Sequence, residues 1–141
     1  MAGYWNNEKA TRDAIRGNWY HTGDVGYLDS SGYLYLVDRK KDMIVSGGEN
    51  IYCREVEMAI GAHPRVAEVA VVGIPDKVSG ESVLAVVVAE GDVSGDEIIE
   101  HCRSLIASYK KPRRVEFVDR LPRTATGKID KVALRAAYQS A

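Results

Sequence analysis

Hydrophobic residues follow two different spacings along residues 43–141, and each change of spacing predicts a new element. Short apolar runs such as Val83 to Ala89 are typical of buried strands, whereas apolar residues three or four positions apart indicate helices. The predicted strands cover residues 43–46, 66–74, 81–89 and 114–118. The predicted helices cover 53–62, a stretch that begins at Ser94, and 130–138, which Asp130 is expected to cap. This order, βαββαβα, predicts an α+β fold with helices packed on a small mixed or antiparallel sheet.

The helix that begins at Ser94 has the clearest amphipathic pattern. Ser94 and Glu97 form a capping-box sequence, in which each side chain can accept a hydrogen bond from the other's backbone N–H. The apolar stripe that follows consists of Ile98, Ile99, Cys102, Leu105 and Ile106. We therefore expect this face of the helix to pack against the sheet.

Residues 1–37 predict a helix and a β-hairpin with many aromatic side chains and little apolar surface to cover them. Asn7 predicts the start of a short helix that runs through Ile15 and that Gly17 closes. Two strands, 24–29 and 33–38, are joined by a Ser-Ser-Gly turn, which is a hairpin signal. Segments below about 40 residues rarely form a sufficient core. We therefore interpret residues 1–37 as the end of a larger domain, 38–42 as a charged joint, and 43–141 as a domain of its own.

Composition and charge exclude several classes of function. The net charge of −1 gives no overall field that would favour nucleic acid or a membrane surface. No apolar run approaches the roughly 20 residues needed to cross a bilayer, and the N-terminus lacks a signal-peptide pattern. Cys53 and Cys102 form no disulfide framework, and the histidines show no metal-ligand spacing. These features predict a soluble protein of the reducing cytoplasm.

Three glycine-rich or charged stretches could carry chemistry, and each also has a structural explanation. Asp24 lies between two glycines and can direct a carboxylate at vicinal hydroxyls, or it can bond the backbone of a turn. The charged run 38–42 is either a solvated linker or a site for a polyanion, because Arg39 offers a planar fork of donors. Gly47 and Gly48 permit positive φ, which serves either a plain turn or the close approach of a ligand.

Two basic stretches near the C-terminus can also be explained as ordinary exposed surface. Lys128 follows Gly127 on a Thr/Gly-rich loop, but this loop is not a P-loop because Pro122 and Ile129 stand where that motif needs glycine and Ser or Thr. Considered alone, Lys128 is more simply interpreted as a surface lysine. The cluster 110–114 has only one adjoining aromatic ring, which favours a solvated face over a nucleic-acid site.

The order of these stretches is more informative than any one of them. Residues 19–26 (WYHTGDVG), 38–52 (DRKKDMIVSGGENIY) and 122–129 (PRTATGKI) together resemble three signature segments of the adenylate-forming enzymes. This superfamily includes acyl- and aryl-CoA ligases, firefly luciferase and the adenylation domains of nonribosomal peptide synthetases. The SGGENI segment resembles the fatty-acyl and aryl-CoA ligase branch.

The resemblance implies a two-step reaction and a two-domain enzyme. Such enzymes join a carboxylic acid to ATP, release pyrophosphate, and transfer the acyl group from AMP to the thiol of CoA. A large N-terminal adenylation domain binds the acid, ATP and Mg²⁺, and a small C-terminal lid rotates over the cleft between the half-reactions. Residues 1–37 would be the tail of the large domain, 38–42 the hinge, and 43–141 the lid. The small-molecule acid, ATP and CoA, together with its own N-terminal domain, would be the partners of this chain.

The resemblance assigns three residues to adenylation. Asp24 is expected to hold the ribose hydroxyls of ATP and of the acyl-adenylate, and Arg39 to contact the same nucleotide near ribose and phosphate. Lys128 is expected to be the catalytic residue, bridging the substrate carboxylate and the α-phosphate. Its positive charge would relieve the repulsion between these two anions.

The same resemblance assigns three residues to lid movement and CoA binding. Lys41 falls at the hinge position, whose backbone torsions would absorb the rotation. Gly47 and Gly48 are expected to line the pantetheine tunnel, where the absence of side chains leaves room for the thiol arm. Cys53 departs from the proline of many relatives, and we expect only a small effect on the start of its helix.

Two alternatives remain beside this interpretation. One is a non-catalytic α+β module that binds a partner or polyanion through the basic cluster 110–114. The other is an adenylating enzyme that loads a carrier protein. The phosphate loop, the magnesium-binding glutamate and the acyl pocket of the family are expected upstream, so we expect the isolated chain to be inactive.

We predict that the chain occurs in the cell as part of a longer ligase. An antibody raised against residues 43–141 should detect, in native lysate, a band several times heavier than 15.5 kDa. A native band near 15.5 kDa would contradict the prediction.

Overall fold

The computed structural model describes residues 1–139, which form two compact units. The first unit is Met1–Lys41, and the second begins at Asp42. None of the helices within residues 1–139 is long and apolar enough to cross a membrane.

The first unit begins with a short helix and a small hairpin. Helix α1 (Glu8–Ala14) starts where the sequence predicts, because the Asn7 side chain accepts a hydrogen bond from the backbone N–H of Ala10 at 3.0 Å. The predicted closing role of Gly17 is wrong. The chain leaves the helix in extended conformation, and strands β1 (Ile15–Arg16) and β2 (Trp19–Tyr20) pair around a turn in which Gly17 has positive φ.

The predicted β-hairpin of the first unit is confirmed. Strand β3 (Asp24–Leu28) pairs antiparallel with β4 (Leu34–Arg39), and the Tyr27 and Tyr35 rings stack across the ladder with centroids 5.2 Å apart. Apolar side chains remain exposed on the hairpin, and Trp5 of the N-terminal segment is 92% exposed. No residue of this unit is buried, which agrees with the expectation that it lacks a core.

The second unit is a five-stranded mixed sheet with helices on both faces, so the predicted α+β class is confirmed. Its strands and helices are β5 (Ile44–Ser46), β6 (Glu49–Ile51), α2 (Cys53–Gly61), β7 (Val66–Asp76), β8 (Gly80–Ala89), α3 (Gly95–Leu105), β9 (Arg114–Phe117) and α4 (Lys131–Tyr138). The sequence did not predict β6, whose three residues contain only one buried side chain.

Strand β8 lies at the centre of this sheet. It pairs antiparallel with β7 over the length of both strands, from Val66↔Ala89 to Asp76↔Gly80. Its other edge is shared, because β5 joins it antiparallel at Ser46↔Gly80 and β9 joins it in parallel over Leu84 to Val87. The remaining pair is β5 with β6, a hairpin at the edge of the sheet.

Side chains of β7 and β8 alternate between two cores, as period-two strands require. The first core lies under α2 and α3 and contains Ile44, Ile51, Cys53, Val56, Ala59, Ile60, Val71, Val83, Ala85, Val87, Ile98 and Cys102. The second core lies under α4 and contains Ala70, Val72, Ile74, Leu84, Val86, Leu121 and Leu134. Every residue of the central strand from Ser82 to Val87 is therefore buried, which is why it reads as a continuous apolar run.

The prediction for α3 is correct in outline and wrong in two details. The Ser94 hydroxyl accepts from the Glu97 backbone N–H at 3.2 Å, but the Glu97 carboxylate lies near His63 and Arg65 instead of completing the capping box. Leu105, expected on the buried face, is 54% exposed because it ends the helix. Ile98 and Cys102 alone are fully buried within α3.

Leu134 is predicted to carry the attachment of α4 to the sheet. Leu134→Ala removes the fully buried side chain of this helix and should lower the free energy of unfolding by about 2–5 kcal/mol. Val132→Ala is the matched control, since Val132 is 68% exposed on the same helix, and it should change stability by about 0.5 kcal/mol or less. Urea unfolding of both variants measures the difference, and equal losses would contradict the packing.

Candidate functional site

Asp24 and Arg39, which the sequence proposes separately, are cross-strand partners at the open end of the β3–β4 hairpin. The Arg39 Nε donates to the Asp24 carboxylate at 2.8 Å, and one terminal guanidinium nitrogen donates to the carbonyl of Thr22 at 3.0 Å. The backbone N–H of Asp24 donates to the Thr22 hydroxyl at 3.1 Å. The carboxylate is thus held in one orientation, and its side chain remains 27% exposed.

A recess of about 380 Å³ adjoins this pair. It is lined by Thr22, Gly23, Arg39, Lys40 and Lys41. The lining is cationic, as a phosphate or nucleotide would require. A larger recess of about 820 Å³ lies along α1, but the charged side chains that line it, Glu8 and Arg12, pair with each other at 3.4 Å.

Lys41 lies in a single 3₁₀ turn, Lys40–Asp42, and the boundary between the two compact units falls directly after it. On the far side of the boundary, the Asp42 carboxylate pairs with Arg135 of α4 at 2.7 Å. The Asp42 carbonyl also accepts from the Cys53 thiol at 2.8 Å. The start of the second unit is therefore fixed to its own helices immediately after residue 41.

Gly47 and Gly48 form the two-residue turn of the β5–β6 hairpin. Their φ angles are +60° and +86°, the left-handed pair that such tight hairpin turns require. A Cβ built on either glycine meets no atom within 4 Å. The turn alone explains why glycines stand here, and the open space above them makes the backbone accessible to a ligand.

Lys128 lies on a small hairpin loop that the sequence described only as Thr/Gly-rich. The backbone N–H of Thr124 donates to the Lys128 carbonyl at 2.8 Å, and the N–H of Gly127 donates to the Thr124 carbonyl at 2.9 Å. At the base of the loop the N–H of Asp130 donates to the Pro122 carbonyl at 2.8 Å. These bonds fix the backbone of the loop, and the Lys128 side chain is exposed.

Arg123 braces this loop against the sheet. One guanidinium nitrogen donates to the Gly127 carbonyl at 3.0 Å, and another pairs with the carboxylate of Glu68 on β7. No local sequence pattern indicates this brace, because its two ends lie 55 residues apart.

The helix that follows the loop is also held at its first turn. Asp130 caps α4 as predicted, accepting from the N–H groups of Val132 and Ala133. Lys131 pairs with Glu57 of α2 at 2.7 Å, and Glu57 also accepts from the backbone N–H of Val71. Burial lowers the pKa of Lys131, but its interactions with Cys53 and Glu57 outweigh that effect, and its pKa is raised. This half-buried pair anchors the C-terminal side of the Lys128 loop.

Both cysteines are part of the first core. They are thiols and not disulfides, and burial raises the pKa of Cys102 to about 11. Such a thiol is a poor nucleophile at neutral pH. Within residues 1–139, no group of three or more His, Cys, Asp or Glu side chains is arranged to hold a metal ion.

The basic cluster 110–114 is largely committed to internal contacts. The Lys110 ammonium pairs with Glu55 at 2.7 Å, and this hydrogen bond raises the pKa of Lys110. Arg114 pairs with Glu116 at 2.6 Å, and Pro112 is buried. Half of the charge on which a polyanion site would depend is therefore neutralised.

The chain belongs to the AMP-binding enzyme C-terminal domain family, whose sequence model matches residues 55–128. The match covers α2, the central strands and the loop that ends at Lys128. The resemblance to adenylate-forming enzymes drawn from the signature segments is confirmed.

Its curated relatives include acyl-CoA ligases. The chain is 50% identical over 138 residues to a long-chain-fatty-acid–CoA ligase of Mycobacterium tuberculosis, covering 97% of this chain and 27% of the relative. It is 48% identical over 133 residues to a 2-succinylbenzoate–CoA ligase of Bacillus mycoides, covering 94% and 28%. The chain thus spans little more than a quarter of the length of these relatives.

The fold has the same relatives among solved structures. The o-succinylbenzoate–CoA synthetase of Bacillus subtilis, solved with its acyl-adenylate intermediate, matches with a TM-score of 0.88 and 42% identity, over 100% of this chain and 28% of that one. An ATP-bound MatB from Rhodopseudomonas palustris also matches, with a TM-score of 0.88 and 37% identity over 97% of this chain and 28% of that one.

Removing the Arg123 brace should loosen the Lys128 loop without unfolding the domain. Arg123→Ala should raise amide hydrogen exchange in residues 123–129 about ten-fold, while stability changes by about 1 kcal/mol or less because the ion pair is exposed. Arg120→Ala, an exposed arginine beside the loop, is the control and should leave exchange unchanged. Identical exchange in the two variants would show that Arg123 does not brace the loop.

Proposed function

We propose that this chain is the C-terminal lid and adjoining segment of an ATP-dependent acyl-CoA ligase. The enzyme would convert a carboxylic acid, ATP and CoA to acyl-CoA, AMP and pyrophosphate through an acyl-adenylate. The observation that carries the proposal is the exposed Lys128 on a loop fixed by its own backbone bonds and by Arg123. Membership of the family and the ligase names of its relatives support the same conclusion.

Lys128 would supply positive charge to the adenylation step. An anionic carboxylate must approach the anionic α-phosphate, and their repulsion opposes the attack. A cation near both anions offsets about 4 kcal/mol per pair at ~4 Å and an effective dielectric of ~20. The fixed backbone of the loop supports this role, because it limits the number of positions that the ammonium can occupy.

Asp24 and Arg39 would bind the nucleotide. A carboxylate can accept hydrogen bonds from both ribose hydroxyls, and the ion pair with Arg39 would keep it oriented. The guanidinium edge and the neighbouring cationic recess are suited to phosphate oxygens. The two side chains would thus contact the ribose and the phosphate of the same nucleotide.

Lys41 would serve as the hinge between the half-reactions. A hinge needs a few residues whose torsions can change while the segments on either side keep their structure. The boundary of the compact units after Lys41 and the anchoring of Asp42 by Arg135 support this position.

Gly47 and Gly48 would line the passage for the pantetheine arm of CoA in the thioester-forming pose. The empty space above both glycines supports this role, because a thiol arm can lie against bare backbone there. The acyl pocket and the Mg²⁺ that accompanies ATP would belong to the N-terminal adenylation domain, of which residues 1–37 would be the tail. The two buried, reduced thiols support a cytoplasmic location for the whole enzyme.

The rival interpretation as a polyanion-binding module has less support, since Lys110 and Arg114 are paired internally. An adenylating enzyme with another acceptor is the stronger alternative. One structural relative, matching with a TM-score of 0.87 and 41% identity, is an amide bond synthetase from Marinactinospora thermotolerans. Comparing CoA, a phosphopantetheinylated carrier protein and an amine as acyl acceptors in the intact enzyme distinguishes these possibilities.

Lys128→Ala in the intact ligase should separate the two half-reactions. Adenylation, followed as ATP–pyrophosphate exchange, should fall roughly 10²–10³-fold, as is typical when one electrostatic contact to a transition state is lost. Thioester formation from supplied acyl-adenylate should be largely retained.

Lys9→Ala is the charge-matched control for this experiment, because it removes an exposed lysine of α1 and should affect neither half-reaction. Equal losses in both half-reactions for Lys128→Ala, or none in either, would remove Lys128 from the proposed mechanism.

A further inference from the structure

Ile44 and Ile51 anchor the base of the β5–β6 hairpin in the first core, but its Gly47–Gly48 end has few attachments of its own. Strand β5 has three residues and contacts the central strand through a single register pair, Ser46↔Gly80. Val45 is exposed, and both glycines are exposed. A hairpin this short is not stable alone, so its position must come from contacts with the rest of the sheet.

At the Gly47–Gly48 end, those contacts come from the last residue of the β7–β8 turn and the first two residues of β8. The backbone N–H of Val45 donates to the Glu81 carboxylate at 2.8 Å, and the N–H of Gly47 donates to the Ser79 carbonyl at 2.8 Å. Ser46 pairs with Gly80 between these two bonds. Residues 45–47 of the hairpin thus meet residues 79–81, where the turn passes into β8. The carboxylate bond is charge-assisted and is therefore stronger than an ordinary backbone bond.

The Asp76 side chain fixes the geometry of the turn between β7 and β8. One of its carboxylate oxygens accepts from the N–H groups of Val78 at 3.0 Å and Ser79 at 2.7 Å. The Ser79 hydroxyl lies 2.7 Å from the same oxygen and 2.8 Å from the Glu81 carbonyl, so it can donate to either. These bonds lower the pKa of Asp76, which stays ionised at neutral pH.

Gly73 completes the arrangement from the neighbouring strand. A Cβ at this position would lie 3.0 Å from a Glu81 carboxylate oxygen and 3.2 Å from the Ile44 side chain. The absence of a side chain at residue 73 leaves room for the Glu81 carboxylate to reach the N–H of Val45.

We propose that Glu81 and Asp76 are positioning residues for the acyl acceptor, because they set the place of the Gly47–Gly48 backbone against which the thiol arm lies. The identity of the acceptor rests on the proposed function, whereas the positioning itself does not. Glu81 acts directly on the hairpin, and Asp76 acts through Ser79. Neither residue is expected to take part in adenylation.

The first test measures the hairpin itself in the 141-residue chain. Glu81→Ala should raise amide hydrogen exchange in residues 44–49 about ten-fold, because one charge-assisted bond is lost. Glu81→Gln retains a carbonyl oxygen at the same place and should restore most of the protection. Glu90→Ala, an exposed glutamate just after β8, is the control. Unchanged exchange in Glu81→Ala would overturn the proposal whether or not the chain serves a ligase.

The second test measures the half-reactions of the intact ligase. Glu81→Ala and Asp76→Ala should leave ATP–pyrophosphate exchange within about two-fold of wild type and raise KM for CoA about ten-fold, with partial recovery in Glu81→Gln. Equal losses in both half-reactions would mean a general structural role and would overturn the proposal, as would an unchanged KM.

The two experiments separate the failure of this inference from the failure of the proposed function. If the wild-type ligase forms no thioester with CoA, the proposed function fails, and the exchange measurement still decides whether Glu81 positions the hairpin. If the ligase forms the thioester but Glu81→Ala alters neither exchange nor KM, the positioning inference alone fails.

Discussion

The second unit depends on the pairing of its two long strands, β7 and β8. Their antiparallel ladder runs from Val66↔Ala89 to Asp76↔Gly80, and their side chains supply both cores in alternation. A shift of one residue in this register would exchange the faces that meet α2 and α3 with the face that meets α4. The turn at one end of the ladder also holds the Gly47–Gly48 hairpin, and the Arg123 brace ends on β7. Every candidate residue of this unit is thus placed by the same register.

The sequence predicts most of this fold because its main signals are local. Valine-rich runs, the Ser94 cap and the Asp130 cap each depend on neighbours a few residues away, and all three are observed. Strand β6 is not predicted because three residues are too few to show the alternation of apolar and polar positions that marks a strand. The misreading of Gly17 arose because a left-handed glycine serves a helix end and a hairpin turn equally well.

The resemblance identifies the candidate residues, but the sequence does not predict the contacts that orient them. The pairing of Asp24 with Arg39 follows from the hairpin register, whereas Arg123 with Glu68 and Glu81 with Val45 join positions far apart in sequence. Single residues on surface loops carry no periodic signal that could predict such partners. The proposed roles of the candidate residues stay predictions, since they depend on ligands and on the proposed N-terminal domain. These residues are Asp24, Arg39, Lys41, Gly47, Gly48 and Lys128.

The burial of both cysteines has a practical consequence for following movement in solution. Cys53 and Cys102 are shielded within a packed core, and the thiol of Cys102 is further deactivated by its high pKa. A cysteine introduced at an exposed site such as Met58, which is 68% exposed on α2, would react far faster with a maleimide dye. Fluorescent labelling of this domain therefore needs no removal of its native thiols, and a dye on it, paired with a second dye on the N-terminal domain, would report the proposed rotation by energy transfer.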